Sequence, residues 1–135
     1  ALIGDDIGPV TVLTKLHGMG VRIALDDFGD GYWNLPHLRR LPLHELKLAG
    51  SFAAALHAPS PCVDQRIVAA LVDMAHALKL TVTAEGIETS TQLERFRAAR
   101  CDIGQGSLFG PPGTAERISA WLRATPLCDV SGEPR

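Results

Sequence analysis

The sequence has few of the cysteines and histidines that form disulfides or metal sites in small domains. Its 135 residues include three cysteines, Cys62, Cys101 and Cys128, which share no short spacing. An odd number of separated cysteines argues against a disulfide framework and against a zinc site. The five histidines also lack the spacing of metal ligands. We therefore expect a fold stabilised by its hydrophobic core in a reducing compartment, with the cytoplasm as the default location.

Strong net charge and long apolar segments are also absent. The formal net charge is -2, which gives no electrostatic attraction to nucleic acid polymers or to anionic membranes. No apolar run approaches the roughly 20 residues that span a bilayer, and the first residues, ALIGDDIGPV, lack the basic start of a secretory signal. We therefore expect neither nucleic acid nor a membrane as a partner. The length and the 46% of hydrophobic residues predict one globular domain.

Glycine and proline divide the chain into alternating helical and strand patterns. The predicted helices are residues 5–20, 33–41, 63–80, 90–101 and 114–124, and the predicted strands are 21–26, 45–49, 81–86 and 103–109. This alternation predicts an α/β fold with four parallel strands joined by right-handed helical crossovers. The polar end of the chain, residues 125–135, is predicted to be a loose tail.

Three of the predicted helices carry residues that we expect in the core. In the helix at 63–80, apolar residues at helical spacing form one stripe, made of Val63, Ile67, Ala70, Leu71, Met74 and Leu78. Phe96 and Trp121 lie on the faces of the last two helices, and we expect both side chains to anchor those helices to the sheet.

Polar side chains fall near the ends of the strands. Successive strand residues point to opposite faces of a sheet, so one face is aliphatic and the other carries Asp26, Lys47, Glu85 and Gln105. Parallel α/β folds build their sites at these carboxyl ends. Charges that point to an interior must be paired or must bind a ligand. One interpretation is therefore an internal network of ion pairs among Arg22, Asp26, Glu45, Lys47 and Glu85.

The other interpretation is a cation site, and it comes from Asp27. This residue follows Asp26 where the strand breaks into FGDG, so its carboxylate can turn to join Asp26 on one ion. Clustered carboxylate oxygens are ligands of hard divalent cations such as Mg²⁺. With Glu85 as a further carboxylate and Lys47 near a bound water, the residue types favour metal-assisted hydrolysis of a phosphoester.

Two other classes of site fit the sequence poorly. A receiver-type signalling domain also uses an acidic pair and a later lysine, but it needs a strand that ends in a phosphoacceptor aspartate between them. No predicted strand lies between Asp27 and Lys47. A dinucleotide-binding loop needs a third glycine, which GDGYWN lacks, and carboxylates flank the place where a phosphate would bind.

Three segments resemble the second half of EAL-type cyclic-di-GMP phosphodiesterase domains. They are GVRIALDDFGDGYWNLPHLRRLPLHELKL, VTAEGIET and GQGSLFGPP, and their order and spacing match from residue 5 to about residue 122. The resemblance implies a (β/α)₈ TIM-like barrel, of which residues 1–124 would supply four βα units, or a half barrel. It also implies the opening of cyclic-di-GMP to the linear dinucleotide with Mg²⁺ or Mn²⁺.

The resemblance assigns roles to individual residues at the centre of the site. Asp26 and Asp27 match the metal-binding pair of the family, and Lys47 matches the lysine near the attacking water. Glu85 matches the glutamate proposed as the general base.

Further residues match positions around that centre. Glu88 matches the glutamate that supports the loop after Asp27, and Gln105 matches a substrate-binding glutamine at the mouth of the site. Tyr32 and Trp33 lie in the glycine-containing loop, where either ring could contact a guanine or simply pack in the loop.

The sequence also departs from the family pattern. Three metal ligands of the family's earlier half have no counterpart here, Ala49 stands where the family has aspartate, and Asp30 stands where it usually has threonine. These departures imply that this chain alone does not catalyse hydrolysis. The alternative is a non-catalytic module that binds cyclic-di-GMP or a protein. A half barrel has open strand edges, so we expect self-association or pairing with an N-terminal half.

Overall fold

A computed structural model of the chain describes residues 7–31, 35–57 and 62–124. In those ranges helices and strands follow in the order α1 (Ile7–Gly18), β1 (Ala24–Phe28), α2 (Leu35–Arg40), β2 (Glu45–Leu48), α3 (Gly50–Ala55), α4 (Cys62–Ala77), β3 (Thr81–Ala84), α5 (Ser90–Ala98), β4 (Ile103–Gly104) and α6 (Ala115–Ala124). A 3₁₀ turn, Ser107–Phe109, follows β4. The predicted loose tail, 125–135, lies outside the described residues. Among the helices described, none has the length and apolarity to cross a bilayer.

The four strands form one parallel sheet in the order β1-β2-β3-β4. This confirms the predicted set of four βα units, because each strand neighbours the one that follows it in the chain. Within the described ranges β1 and β4 each pair with one neighbour, so both outer edges of the sheet are open.

The core lies between the aliphatic face of the sheet and the helices. Leu46 and Leu48 of β2 are fully buried, while Glu45 and Lys47, which alternate with them, are partly exposed, as strand alternation predicts. In β3 the alternation is less complete, because Thr83 on the polar face is also buried. Its hydroxyl donates a hydrogen bond of 2.5 Å to Glu45 Oε1, which satisfies both polar groups.

Helix α4 uses a different face from the one predicted. The proposed stripe begins with Val63 and Ile67, whose exposed fractions are 69% and 44%. The fully buried residues are instead Val68, Val72 and Ala75, with Leu71, Met74 and Leu78 of the stripe partly buried at its margin. Apolar residues occupy two adjacent sides of this helix, so their spacing alone could not select the side that packs on the sheet.

The two aromatic anchors have different outcomes. Phe96 of α5 is 1% exposed and lies in the core, as predicted. Trp121 of α6 is 49% exposed, so the prediction that it anchors the helix in the core is wrong. Helix α6 follows β4 at an open edge of the sheet, where no further described strand covers it.

Several elements end earlier than their patterns suggest. Helices α4 and α5 end at Ala77 and Ala98, because Lys79 and Arg100 then adopt left-handed φ angles of 63° and 64°. Glycine usually occupies this closing position, so its absence hid both helix ends. Strand β4 ends after two residues, because the chain then turns around Ile87. The Ile87 N–H donates to the Gln105 carbonyl, and the Ile87 carbonyl accepts from the Leu108 N–H, both at 3.1 Å.

The burial of α4 can be tested with one substitution made on two of its sides. Val72→Ala should lower the free energy of unfolding by about 2 kcal/mol, because it removes buried methyl groups and leaves a cavity. Val63→Ala should change it by no more than about 0.5 kcal/mol, since that side chain is exposed. Urea unfolding followed by circular dichroism measures both. Equal losses for the two variants would contradict the orientation of the helix.

Candidate metal and active site at the strand ends

The acidic pair lies inside β1, not at its end. The sequence predicted a strand over 21–26, but β1 begins only after Ile23. Ile23 is hydrogen-bonded to His44: its N–H donates to His44 Nδ1 at 3.0 Å, and its carbonyl accepts from the His44 N–H at 2.8 Å. The ladder then pairs Leu25 with Leu46 and Phe28 with Leu48. Two residues of β1, Asp26 and Asp27, therefore lie opposite one residue of β2, Lys47, which is a β-bulge.

The bulge turns both carboxylates to one side. Asp27 has a φ of 52°, a left-handed conformation that is uncommon for residues other than glycine and is tolerated by aspartate better than by most. One carboxylate oxygen from each of Asp26, Asp27 and Glu85 lies within 4.8 Å of the other two. The structure thus brings Glu85 to the acidic pair, although Glu85 is far from both aspartates in the sequence.

Lys47 lies between two of these carboxylates. Its Nζ donates a hydrogen bond of 2.8 Å to Asp26 Oδ1 and forms an ion pair with Glu85 Oε1. The hydrogen bond from Lys47 lowers the pKa of Asp26, and the hydrogen bonds to Asp26 and Glu85 raise the pKa of Lys47 well above its usual range. Asp26 is therefore ionised and Lys47 protonated at neutral pH.

The predicted network of five ion-paired residues forms only in part. Lys47, Asp26 and Glu85 make such a group. Glu45, in contrast, accepts its described hydrogen bond from the Thr83 hydroxyl, and Arg22 is exposed just before β1. The side chains of Lys47 and Glu85 are 21% and 16% exposed, whereas that of Asp26 is 64% exposed. The group is thus anchored at one side and open to solvent at the other.

Comparison with known proteins identifies the family that shares these features. The family model of the EAL domain matches residues 5–112. The chain belongs to the EAL domain family. Cyclic di-GMP phosphodiesterase NbdA of Pseudomonas aeruginosa is 41% identical over 115 residues, which are 85% of this chain and 14% of NbdA.

Solved EAL structures share the fold as well as the sequence. The EAL domain of Mycobacterium smegmatis DcpA superposes with a TM-score of 0.81 at 35% identity, over 91% of this chain and 54% of that one. The manganese and cyclic-di-GMP complex of Klebsiella pneumoniae BlrP1 gives 0.68 at 33% identity, over 76% of this chain and 26% of that one. The EAL chain therefore spans about half of the DcpA structure and a smaller share of BlrP1 and NbdA.

Two predicted site residues of the EAL chain lie outside the central group. Gln105 directly follows β4, with its N–H donating to the Ala84 carbonyl at 2.8 Å and its side chain exposed. Glu88 is exposed, and its N–H donates to Gln92 Oε1 at 2.8 Å. Their roles in binding substrate and supporting the loop stay predictions. Tyr32 and Trp33 lie outside the described residues.

The sequence patterns do not predict α3, the helix that packs against the loop after Asp27. Helix α3 has six residues, Gly50–Ala55, and small side chains that give no clear periodicity. Its Ser51 hydroxyl donates to Asp30 Oδ1 at 2.7 Å. The ring of Phe52 packs against Gly29, where an added Cβ would collide with it and where φ is 115°. The only advance signal was the glycine at position 29.

The coupling between Lys47 and Asp26 can be tested by NMR titration of the aspartate carboxyl carbons. In Lys47→Met the pKa of Asp26 should rise toward the ordinary value of 3.8, because the hydrogen bond that lowers it is lost. In the unchanged chain the pair stabilises the fold above that value, and this contribution is lost as the pH falls through the lower folded-state pKa.

Lys79→Met is the matched control for this titration. It removes the same charge just before β3 begins, at the opposite end of the sheet from Asp26. The pKa of Asp26 should not change in that variant. If the pKa of Asp26 is the same in Lys47→Met as in the unchanged chain, the lysine does not act on this carboxylate.

Proposed function

We propose that the EAL chain contributes the acidic pair, the lysine and the general base of a cyclic-di-GMP phosphodiesterase. The observation that carries this proposal is the convergence of Asp26, Asp27 and Glu85 to within 4.8 Å around Lys47. The sequence identity to a protein named as a cyclic di-GMP phosphodiesterase, 41% over 115 residues, supports the choice of substrate.

The carboxylates have the composition of a site for Mg²⁺ or Mn²⁺. All three offer oxygen ligands, which these hard cations prefer. Three carboxylates and one ammonium carry a formal charge of -2, which a divalent cation would balance. Both aspartates are exposed, and Asp26 is far more exposed than Lys47 and Glu85, so an ion can reach the acidic pair from solvent. When bound, such an ion supplies a Lewis acid that lowers the pKa of water.

Glu85 and Lys47 have the positions of a proton acceptor and its orienting partner. The Glu85 carboxylate is largely buried and is fixed by the ion pair with Lys47. A base held in this way can accept the proton of a water that attacks the phosphorus of a phosphodiester. Water oxygen forms the new bond to phosphorus as the bond to one ester oxygen breaks. That oxygen takes up a proton from solvent to become a hydroxyl, and the cyclic dinucleotide opens to the linear form. Lys47 stays protonated and neutralises part of the negative charge around the phosphate.

Gln105 and Glu88 are proposed to act at the margin of this site. Gln105 follows β4 at the same carboxyl edge of the sheet that carries Glu85 after β3. Its exposed amide can donate to and accept from a guanine base. Glu88 lies three residues beyond Glu85 and is proposed to support the loop after Asp27.

We infer that the complete site requires more of the barrel than the four βα units of this chain supply. The chain spans 54% of the DcpA EAL structure, and β1 and β4 have open edges among the described residues. Beside the β4 edge, Ile103 and Phe109 are 48% and 42% exposed. We propose that further βα units, from a second copy or from an N-terminal half, pair with these edges. We therefore expect the 135-residue chain to bind a divalent cation without hydrolysing cyclic-di-GMP.

The second candidate function is a non-catalytic module of the same family, favoured by Ala49. This residue is fully buried, and its N–H donates to the Phe28 carbonyl at 3.1 Å. The position that carries an aspartate in the resemblance is thus filled by a side chain without oxygen ligands. Such a module would bind cyclic-di-GMP or a protein and would signal without turnover.

Calorimetry and a hydrolysis assay test the proposed function. The unchanged chain should bind Mg²⁺ or Mn²⁺, and Asp26→Asn should weaken that binding by about tenfold or more, because a charged ligand is lost. Asp73→Asn is the matched control: it removes a carboxylate that pairs with Arg100 on the helical side of the fold, and it should leave binding unchanged.

The hydrolysis assay tests the proposed requirement for further βα units. Neither the unchanged chain nor Ala49→Asp should convert cyclic-di-GMP to the linear dinucleotide in the presence of Mn²⁺. Turnover by the unchanged chain would contradict the requirement for further βα units. Cation binding that Asp26→Asn leaves intact would remove Asp26 from the site.

A further inference from the structure

The first turn of α3 contacts the loop that follows Asp27 and the end of β1. The Ser51 hydroxyl donates to Asp30 Oδ1 at 2.7 Å. Asp30 in turn closes a tight turn, since its N–H donates to the Asp27 carbonyl at 3.3 Å. The hydroxyl of Ser51 therefore holds the last residue of a turn whose first residue is a candidate cation ligand.

A second contact from the same helix turn lies beneath this loop. Gly29 adopts a φ of 115°, and the Phe52 ring occupies the space where a side chain at position 29 would lie. The Ala49 N–H also donates to the Phe28 carbonyl at 3.1 Å, just before α3 begins. The start of α3 thus contacts the loop at Phe28 and Gly29 as well as at Asp30.

Helix α3 is itself held by the segment that follows Glu85. The Gln92 side chain, 4% exposed, donates to the Ala53 carbonyl at 2.8 Å. Its Oε1 accepts from the N–H groups of Glu88 and Thr89 at 2.8 and 2.9 Å. Helix α3 therefore connects the loop that follows the acidic pair with the segment that carries Glu85.

Close packing of two glycines tightens this connection. A Cβ added at Gly86, where φ is 71°, would lie 3.1 Å from the Cα of Gly50. The first residue of α3 thus lies almost against the backbone next to Glu85, and little relative movement is possible there. Contacts of this density keep side chains at fixed separations.

We propose that Ser51 and Phe52 are positioning residues that hold Asp27 beside Asp26 and so set the cation affinity of the site. The inference rests on the proposed function of those carboxylates as cation ligands. Asp27 adopts a conformation that is unfavourable for L residues, and the two contacts from α3 keep the loop in it. Because Ser51 holds the Asp30 carboxylate, Asp30 is not among the three carboxylates whose oxygens converge.

The test uses the 135-residue chain and Mn²⁺ as the probe, with free Mn²⁺ measured by electron paramagnetic resonance. Ser51→Ala should raise the dissociation constant for Mn²⁺ by about threefold to tenfold, the effect of losing one hydrogen bond of ordinary net strength at an exposed position. Ser51→Thr keeps a hydroxyl and should retain the original affinity. Ser90→Ala, the same change in the first turn of α5, is the control and should leave affinity unchanged.

A second measurement needs no metal. Amide hydrogen exchange of residues 28–31 in the metal-free chain should be faster in Ser51→Ala than in the unchanged chain or in Ser90→Ala, because the loop loses its attachment. If Ser51→Ala changes neither the Mn²⁺ affinity nor the hydrogen exchange, the positioning role is wrong, while the proposed function still stands. Absence of Mn²⁺ binding by the unchanged chain would instead contradict the proposed function.

Discussion

The extra residue in β1 is the constraint on which the rest of the site depends. In a regular strand Asp26 and Asp27 would point to opposite faces, and one carboxylate would be directed into the aliphatic core. The bulge places both opposite Lys47, while Leu25 and Phe28 on either side remain buried against the helices. One strand can thus anchor the core and present two carboxylates to the same space.

Lys47 makes this arrangement tolerable when no cation is bound. Three carboxylates within 4.8 Å repel one another, and an ammonium in contact with two of them offsets part of that repulsion. Lys47 and Glu85 are mostly shielded from water, so their attraction is screened less than that of a surface pair. Asp26 is exposed, and its side-chain partner is Lys47. The site therefore has a fixed side, formed by Lys47 and Glu85, and an accessible side, formed by the acidic pair.

Much of this arrangement could be predicted from the sequence because strand alternation is a strict rule. Leu46 and Leu48 face the core and Lys47 faces the site, as their spacing predicts. The convergence of strand ends follows from parallel topology, so residues as distant as Asp26 and Glu85 could be expected to meet.

Other features depend on tertiary contacts that local patterns do not specify. The buried side of α4 is set by the sheet, since apolar residues cover two of its sides and Val63 faces solvent. The ends of α4 and α5 rely on Lys79 and Arg100 in conformations that usually signal glycine. Helix α3 is too short to give a period, yet it supports the loop through Ser51. The exposure of Trp121 reflects an open sheet edge that its own helical pattern could not reveal.

The most direct test of this account is anomalous diffraction from crystals of the chain soaked in MnCl₂. We expect an anomalous peak at the carboxyl ends of β1 and β3, with oxygen atoms of Asp26, Asp27 and Glu85 at coordination distance from it. The claim that the bulge builds a cation site would be contradicted by a manganese peak elsewhere. It would also be contradicted if the three carboxylates bind no manganese at saturating concentration.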